Sequence, residues 1–251
     1  MLLIISLFYK QLLVILFFIF LVAIAVALII YDNWLSTDAN GSDNFHRFIQ
    51  RKSPKRGTYS EHKLVSELIL MGFNPGAVFH DLYLRIPGGF YSQIDVVLAT
   101  KVGLIVFEVK DYSGWIFGNA NQEYWTQSLS YGYNKNKFYN PILQNKAHIE
   151  NLKKGLFLQN KIPFYSIIVF YGDCEIKTDI SAPEKTFIIF DEQIAETVNY
   201  ILETGEKAKY PDKQLIIKIL NDAVKNGEDP SIVKQHVQNI QMFLNQKIQK
   251  E

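Results

Sequence analysis

The chain has 251 residues, 48% of them hydrophobic, and a formal net charge of +1. This length suits one domain of ordinary size with additional segments. The near-neutral charge excludes a generally basic protein, so any nucleic-acid surface must be a local patch. The single cysteine, Cys174, excludes a disulfide within the chain and a metal site built from several cysteines. Such low cysteine use fits a reducing compartment.

An uninterrupted apolar run of nineteen residues, LLVILFFIFLVAIAVALII, lies near the amino terminus at residues 12–30. A helix needs about 20 residues to cross the hydrocarbon core of a bilayer, so residues 1–30 are predicted to contain one transmembrane helix. A cleaved signal peptide is the alternative, because Ala25 and Ala27 resemble a cleavage site. The apolar run continues past that site and is longer than a usual signal sequence, which favours an uncleaved anchor.

Basic residues follow the apolar run more often than they precede it. Lys10 lies before the run. The segment after the run contains Arg47, Arg51, Lys52, Lys55 and Arg56. Because positive side chains favour the cytoplasmic side, we expect a single-pass protein of the cell membrane with its soluble domain in the cytoplasm.

The rest of the chain predicts a linker, one domain and a helical extension. Residues 31–56 are polar and aperiodic, with turn-forming dipeptides, as is typical of a linker. Residues 57–204 predict a helix, three strands, a helix, two strands and a helix, which indicates an α/β fold with a mixed sheet flanked by helices. Residues 205–251 predict two further helices, the second with an apolar stripe. We expect these helices to pack on the domain; the alternative is that they form an assembly surface for a partner.

The predicted β-hairpin QIDVVLATKVGLIVFEVKDYSG carries charged side chains within apolar strands. Side chains alternate between the faces of a strand, so Glu108 and Lys110 share a face, as do Gln93 and Asp95 on the preceding strand. With a loop at residues 100–103, Asp95 lies directly opposite Glu108 and Gln93 opposite Lys110. A loop one residue shorter would separate them, so their convergence is a hypothesis.

Two directly opposed carboxylates repel each other, and a cation between them would reverse the sign of the interaction. Hard oxygen ligands favour Mg²⁺ or Mn²⁺ over zinc, and the backbone carbonyl of Val109 would be a further ligand beside Asp95 and Glu108. Lys110 beside such a metal would act on a water or on a phosphate oxygen. The alternative is that Lys110 simply neutralises the two carboxylates at a strand end.

Three segments, GTYSEHKLVSEL, the hairpin and NPILQNKAHI, resemble in their order the motifs of the NERD (nuclease-related domain) family. The resemblance covers about residues 57–190. It implies a restriction-endonuclease-like fold with a PD-(D/E)XK core and a metal-dependent phosphodiesterase, although Ile94 stands where the wider superfamily has proline. It also implies a core triad, a helical acidic residue and a downstream glutamine as catalytic residues: Asp95, Glu108, Lys110, Glu61 and Gln144.

Several of these residues have a second interpretation. Glu61 follows Thr58 by three residues, so the pair also fits a capping box. His148 lies one helical turn after Gln144, and we expect it to be solvated rather than to contact a phosphate. Gln93 either orients a metal-bound water or is a surface cross-strand partner.

The segment YNKNKFYN is the best candidate for a phosphate-contacting loop, because it places Lys135 and Lys137 among aromatic residues. An ordinary exposed loop is the alternative. Tyr112, Trp115 and Trp125 could stack on bases, but packing in the core or at its rim is expected of each.

Two functions fit these patterns. The first is a membrane-anchored, Mg²⁺- or Mn²⁺-dependent endonuclease that hydrolyses phosphodiester bonds, with DNA as the expected substrate. The alternative is a non-catalytic, nuclease-like module that binds nucleic acid or a protein at the membrane. Two opposed carboxylates beside a lysine favour the enzyme, because a scaffold has no need of them.

Overall fold

The computed structural model describes residues 57–129, 134–157 and 162–248. The predicted transmembrane helix and linker, residues 1–30 and 31–56, lie outside these ranges, so the anchor stays a prediction. Within the described ranges, no helix is both long enough and apolar enough to span a membrane.

The described residues form nine strands and five α-helices, together with two short 3₁₀ turns. In chain order the helices and strands are α1 (Tyr59–Leu70), β1 (Val78–Ile86), β2 (Phe90–Thr100), β3 (Gly103–Asp111), β4 (Gly114–Phe117), β5 (Tyr124–Leu129), β6 (Asn134–Tyr139), α2 (Pro141–Gly155), β7 (Phe164–Tyr171), β8 (Cys174–Ile176), β9 (Thr186–Phe190), α3 (Ile194–Thr204), α4 (Lys213–Asn226) and α5 (Pro230–Ile248).

A five-stranded mixed sheet in the order β1-β2-β3-β7-β9 forms the centre of the domain. The first three strands are antiparallel, whereas β7 and β9 run parallel to β3. Strand β7 is buried along its whole length, as expected of a parallel strand covered on both faces. The predicted mixed sheet flanked by helices is therefore confirmed.

Two helices that hold functional residues pack on this sheet. Helix α1 begins after the cap residue Thr58 and buries Leu64, Val65 and Leu68 against β1, β2 and β3. Helix α2 buries Ile149 and Leu152 in the cluster that contains the β3 side chains. Full burial of one such aliphatic side chain is worth about 1.5–3 kcal/mol, so these contacts fix both helices on the sheet.

A second sheet of four strands, in the order β6-β5-β4-β8, was not predicted from the sequence. It extends the first sheet, because Tyr112 N–H donates to the Tyr171 carbonyl (3.1 Å) and Gly114 N–H to the Asp173 carbonyl (2.9 Å). The predicted loop that contains Lys135 and Lys137 is wrong, since both residues lie in β6 at the edge of this sheet. Backbone pairing with β5 keeps β6 extended, although the side chains of β6 are mostly polar.

The two C-terminal helices differ in how they pack. Helix α4 buries Ile216 and Leu220 in the cluster shared with β1, as expected. Helix α5 instead turns His236 inward, where its Nδ1 lies 2.9 Å from the Tyr91 carbonyl oxygen. Val237 is 46% exposed and Ile240 45%, so the expectation that the apolar stripe packs on the domain is wrong for these two residues.

Candidate active site

The turn between β2 and β3 sets the register of the hairpin. Thr100 pairs with Gly103, and the pairing continues to Val96 and Phe107. The predicted register is confirmed, although Thr100 and Gly103 belong to the strands rather than to the loop. Gly103 has φ of 139°, and a Cβ there would lie 2.2 Å from the Pro163 carbonyl oxygen, so this position requires glycine.

Asp95 lies where β2 separates from β3. The last backbone pair of the two strands is Val96–Phe107, so Asp95, the residue before Val96, is not paired with β3. The side chain of Asp95 bonds to β3 in its place, since Oδ2 accepts a hydrogen bond from Val109 N–H at 2.8 Å. Gln93 Nε2 donates to Asp95 Oδ1 at 3.2 Å. A buried carboxylate thus replaces a backbone acceptor, which brings Asp95 to the backbone of β3 beside Glu108.

Lys110 joins strand β3 to helix α2. Its Nζ donates to Glu108 Oε1 at 2.6 Å and to Gln144 Oε1 at 3.1 Å. The predicted pairing of Gln93 with Lys110 is wrong, because the β2–β3 ladder ends at Val96–Phe107, and the side chain of Gln93 donates to Asp95 instead. Glu108 is 1% exposed, so its ion pair with Lys110 is shielded from solvent.

Buried asparagines hold α2 over the site. Asn140 caps the helix by accepting from Ile142 N–H at 2.9 Å, and its Nδ2 donates to the Gln122 carbonyl at 2.7 Å. Asn145 Nδ2 donates to the Val106 carbonyl at 2.9 Å. Because both asparagines are fully buried, these bonds fix the position from which α2 presents Gln144.

Glu61 reaches the site from the first turn of α1. Its N–H donates to Thr58 Oγ1 at 3.2 Å, so Thr58 caps the helix, and the hydroxyl donates to Glu61 Oε1 at 3.1 Å. Glu61 Oε2 is buried and has no hydrogen-bond partner among the described residues. The cap and the inward position therefore coexist, and burial, followed by the charges of Asp81 and Glu108, raises the pKa of Glu61.

His148 lies on α2 one turn after Gln144, and the expectation that it is solvated is wrong. Its side chain is 12% exposed, and its Nε2 lies 3.4 Å from Glu108 Oε2. The other ring nitrogen lies 3.1 Å from Ser92 Oγ, which also accepts from Asn151 Nδ2 at 3.1 Å. This chain of contacts holds the imidazole against the second oxygen of Glu108.

The two central carboxylates are electrostatically unequal. Burial, together with the charges of Glu108 and Glu61, holds the pKa of Asp95 well above its ordinary value. Burial alone would also raise the pKa of Glu108, but the His148 contact and the charge of Lys110 outweigh it and lower that pKa. Contacts with His148 and Lys110 therefore favour the ionised form of Glu108, whereas burial and neighbouring carboxylates disfavour the ionised form of Asp95.

The geometry agrees with a comparison of the sequence with known families. Residues 56–171 match the family described as NERD, nuclease-related domain. An uncharacterized protein of Bacillus anthracis is 27% identical over 147 residues, which cover 57% of this chain and 67% of that protein. No solved structure matches the chain. The family match supports a nuclease-related domain over a range that contains the triad and Gln144.

A fourth acidic residue near the predicted triad, Asp81, was missed in the sequence. In β1, His80 pairs with Val96 and Leu82 with Ile94, so Asp81 faces Asp95 at an interruption of the ladder. Asp81 is 6% exposed and has φ of 50°, an unusual conformation for a strand residue. An aspartate in the middle of an apolar strand is the signal that would have drawn attention to it.

The predicted site residues therefore fall into two places. Gln93, Asp95, Glu108, Lys110 and Gln144 are joined by hydrogen bonds where β2 leaves β3. Glu61 bonds to Thr58 and lies close enough for its charge to act on Asp95. Lys135 and Lys137 lie on β6 of the second sheet. The structure thus separates one group of predicted residues at the end of the β2–β3 ladder from the two lysines of the second sheet.

The donor atoms at the end of the β2–β3 ladder determine whether a metal ion fits there. Within the described ranges, no three His, Cys, Asp or Glu side chains are arranged to hold one. The donor chemistry nevertheless fits Mg²⁺, which binds through one or two carboxylates and keeps waters or phosphate oxygens as its other ligands. Glu108 Oε2 is buried, and His148 Nε2 lies 3.4 Å from it, a long contact that a metal ion at this oxygen would have to displace.

Proposed function

We propose that this chain is a metal-dependent phosphodiesterase that cleaves nucleic acid, with DNA as the expected substrate. The nuclease-related domain supports the class of reaction. The observation that carries the proposal is the meeting of Asp95, Glu108 and Lys110 at the end of the β2–β3 ladder, with Gln144 above them.

Each residue has a distinct task in the proposed reaction. Asp95, Glu108 and the Val109 carbonyl would hold Mg²⁺ or Mn²⁺, which when bound activates water and offsets charge developing on the phosphate. Lys110, held by Glu108 and Gln144, donates hydrogen bonds to the attacking water or to a phosphate oxygen. Glu61 adds a carboxylate with a raised pKa, a property suited to proton exchange.

A binding module without catalysis is the second candidate, because protein groups already satisfy much of the charge in the site. Asp95 accepts hydrogen bonds at both oxygens, and Lys110 neutralises Glu108 at 2.6 Å. Such a module would hold nucleic acid or a protein without needing a metal. Metal uptake therefore separates the two candidates.

The full-length chain in neutral detergent is expected to take up Mn²⁺ and to nick plasmid DNA only when Mn²⁺ or Mg²⁺ is present. Titration calorimetry measures the uptake, and gel analysis measures the nicking. Glu108→Gln should lower both, because it removes a charged ligand of similar shape. Absence of Mn²⁺ uptake by the wild type would exclude the metal site and favour the binding module. Uptake without cleavage of DNA or RNA would remove the claimed reaction.

We further propose that residues 12–30 anchor the chain in the cell membrane with the nuclease-related domain in the cytoplasm. Their length and apolar character support a span, and the basic residues that follow support the orientation. Alkaline carbonate extraction should leave the full chain in the membrane pellet, whereas a variant lacking residues 1–30 should move to the supernatant. Recovery of a mature protein that begins near Leu28 would contradict the anchor.

A further inference from the structure

We propose that the outer face of the second sheet binds single-stranded nucleic acid. We call this face the platform and define it by Trp115, Phe117, Tyr124, Lys135, Lys137 and Tyr139. As the substrate-binding surface of the enzyme it rests on the proposed function, but binding by itself requires no cleavage.

The register of the second sheet places these side chains together. Directly paired residues of antiparallel strands lie on one face of a sheet. The pairing across β4, β5 and β6 therefore gives three rows on this face: Trp115–Ser128–Lys135, Phe117–Thr126–Lys137 and Tyr124–Tyr139. Aromatic and basic side chains thus occupy neighbouring positions, about 5 Å apart across the strands.

The opposite face of the same sheet is the one that packs on the domain. Ile116 and Trp125 are fully buried there, and the Trp125 ring stacks on Phe170 with centroids 6.3 Å apart. On the platform, Phe117 is 36% exposed and Tyr139 is 42% exposed. The domain therefore uses one face of the sheet for its core, whereas the other face exposes Phe117, Tyr139 and the β6 lysines, although Ser128 in its middle is only 3% exposed.

The chemistry of the platform fits unpaired bases joined by phosphates. Bases stack on aromatic rings, and lysines neutralise the phosphates between them. Lys135 and Lys137 are exposed on the edge strand. A third lysine, Lys177, lies 5.1 Å from the centroid of the Trp115 ring and ion-pairs with Glu175. Glu175 neutralises Lys177, and Asp179 lies in the surface pocket beside Phe117 and Thr126. Lys135 and Lys137, which form no ion pair with a described carboxylate, are therefore the lysines that supply positive charge along β6.

A single strand fits this face better than a duplex. The bases of a duplex are already stacked on one another, so aromatic rings on a sheet cannot reach their faces. The Tyr139 ring, which meets the Tyr124 ring edge to face at 6.0 Å, is 42% exposed and is the ring of this pair on which a base would stack. Stacking does not distinguish sequence, so the platform is expected to accept both DNA and RNA single strands.

The platform leads directly to the candidate active site. Strand β6 ends at Tyr139, and the next residue, Asn140, caps α2. One turn further, Gln144 accepts the hydrogen bond from Lys110. A strand held by Lys137 and Tyr139 therefore lies beside the element that contributes to the site.

Binding can be measured without cleavage by fluorescence anisotropy on the full-length chain in neutral detergent with EDTA. The probes are a labelled oligothymidylate, an oligouridylate and a DNA duplex of equal length. Both single strands should bind more tightly than the duplex. The double variant Lys135→Gln/Lys137→Gln should reduce the slope of log K against log salt by about 1.4, because each neutralised phosphate contributes about 0.7. Lys209→Gln/Lys218→Gln, with the same charge change on exposed residues elsewhere, is the matched control.

The aromatic part is tested with Tyr139→Ala, which should weaken single-strand binding about tenfold, while Tyr139→Phe should keep it because the ring remains. The platform is overturned if the wild type binds no single strand, if it binds the duplex as tightly, or if both platform variants match the control. With Mn²⁺ added, intact binding without cleavage would remove the proposed reaction and support the platform. If both platform variants kept their affinity for the single strand and still cleaved it, the proposed reaction would stand and the platform would be rejected.

Discussion

Lys110→Ala is expected to lower the rate of phosphodiester cleavage by about 10²- to 10⁴-fold while Mn²⁺ uptake remains near that of the wild type. The lysine supplies no metal ligand, and its Nζ is fixed between Glu108 Oε1 and Gln144 Oε1. Asp95→Ala should instead abolish both uptake and cleavage, because it removes a proposed ligand. Titration calorimetry and a plasmid nicking assay on the same preparations separate the two effects.

Removal of Lys110 also tests the direction of the electrostatic coupling. Without the lysine, the buried charge of Glu108 loses its 2.6 Å partner, which should not weaken the attraction for a cation, so Mn²⁺ uptake should be retained. Lys153→Ala is the matched control, because it breaks a lysine–glutamate pair with Glu150 on the exposed side of α2. If Lys110→Ala lost Mn²⁺ uptake together with cleavage, the lysine would be shaping the metal site rather than acting on the reaction.

The hairpin could be predicted because its determinants are local. Alternating apolar residues and a short turn fix the pairing from Thr100–Gly103 to Val96–Phe107, and this register brings Asp95 next to the backbone of β3. The start of α2 could also be predicted from the sequence, because asparagine followed by proline is typical of a helix cap and first turn, as at Asn140.

The second sheet could not be predicted in the same way. Strands β4 and β8 are short and are held by extension of β3 and β7, so their pairing depends on contacts between distant parts of the chain. The sequence of β6 predicts a polar loop because its first four residues are asparagines and lysines. In the structure these residues are exposed, and pairing with β5 keeps their backbone extended. Propensity in such segments is overridden by tertiary context.

His148 and Asp81 show the same limit within the site. A histidine on a helix gives no indication that Ser92, 56 residues earlier, will hold its ring. The one local signal was its position a single turn after Gln144, on the same side of α2. Asp81 is brought opposite Asp95 by the β1–β2 register, which the sequence did not specify.

Asp95→Asn is expected to make the metal-free protein more stable than the wild type at neutral pH. The folded-state pKa of Asp95 is raised by burial and by the charges of Glu108 and Glu61, whereas the unfolded chain has the ordinary value of 3.8. Between these two values the folded state binds more protons than the unfolded state. Below pH 3.8 Asp95 is protonated in both states and does not destabilise the folded protein. The free energy of unfolding of the wild type then falls as pH rises from 3.8 through the folded-state pKa.

Asparagine cannot ionise, so the advantage of Asp95→Asn should grow as pH rises above 3.8 and then level off. Thermal unfolding in EDTA from pH 4 to pH 8 measures it, with each kcal/mol of relief raising Tm by about 2–4 °C in a chain of this size. Exposed Asp179→Asn is the control and should show no such trend. Saturating Mn²⁺ should reverse the order, because a cation that binds only the folded wild type stabilises it. A variant less stable than the wild type at every pH in EDTA would mean that the bonds from Val109 and Gln93 outweigh the repulsion between the carboxylates.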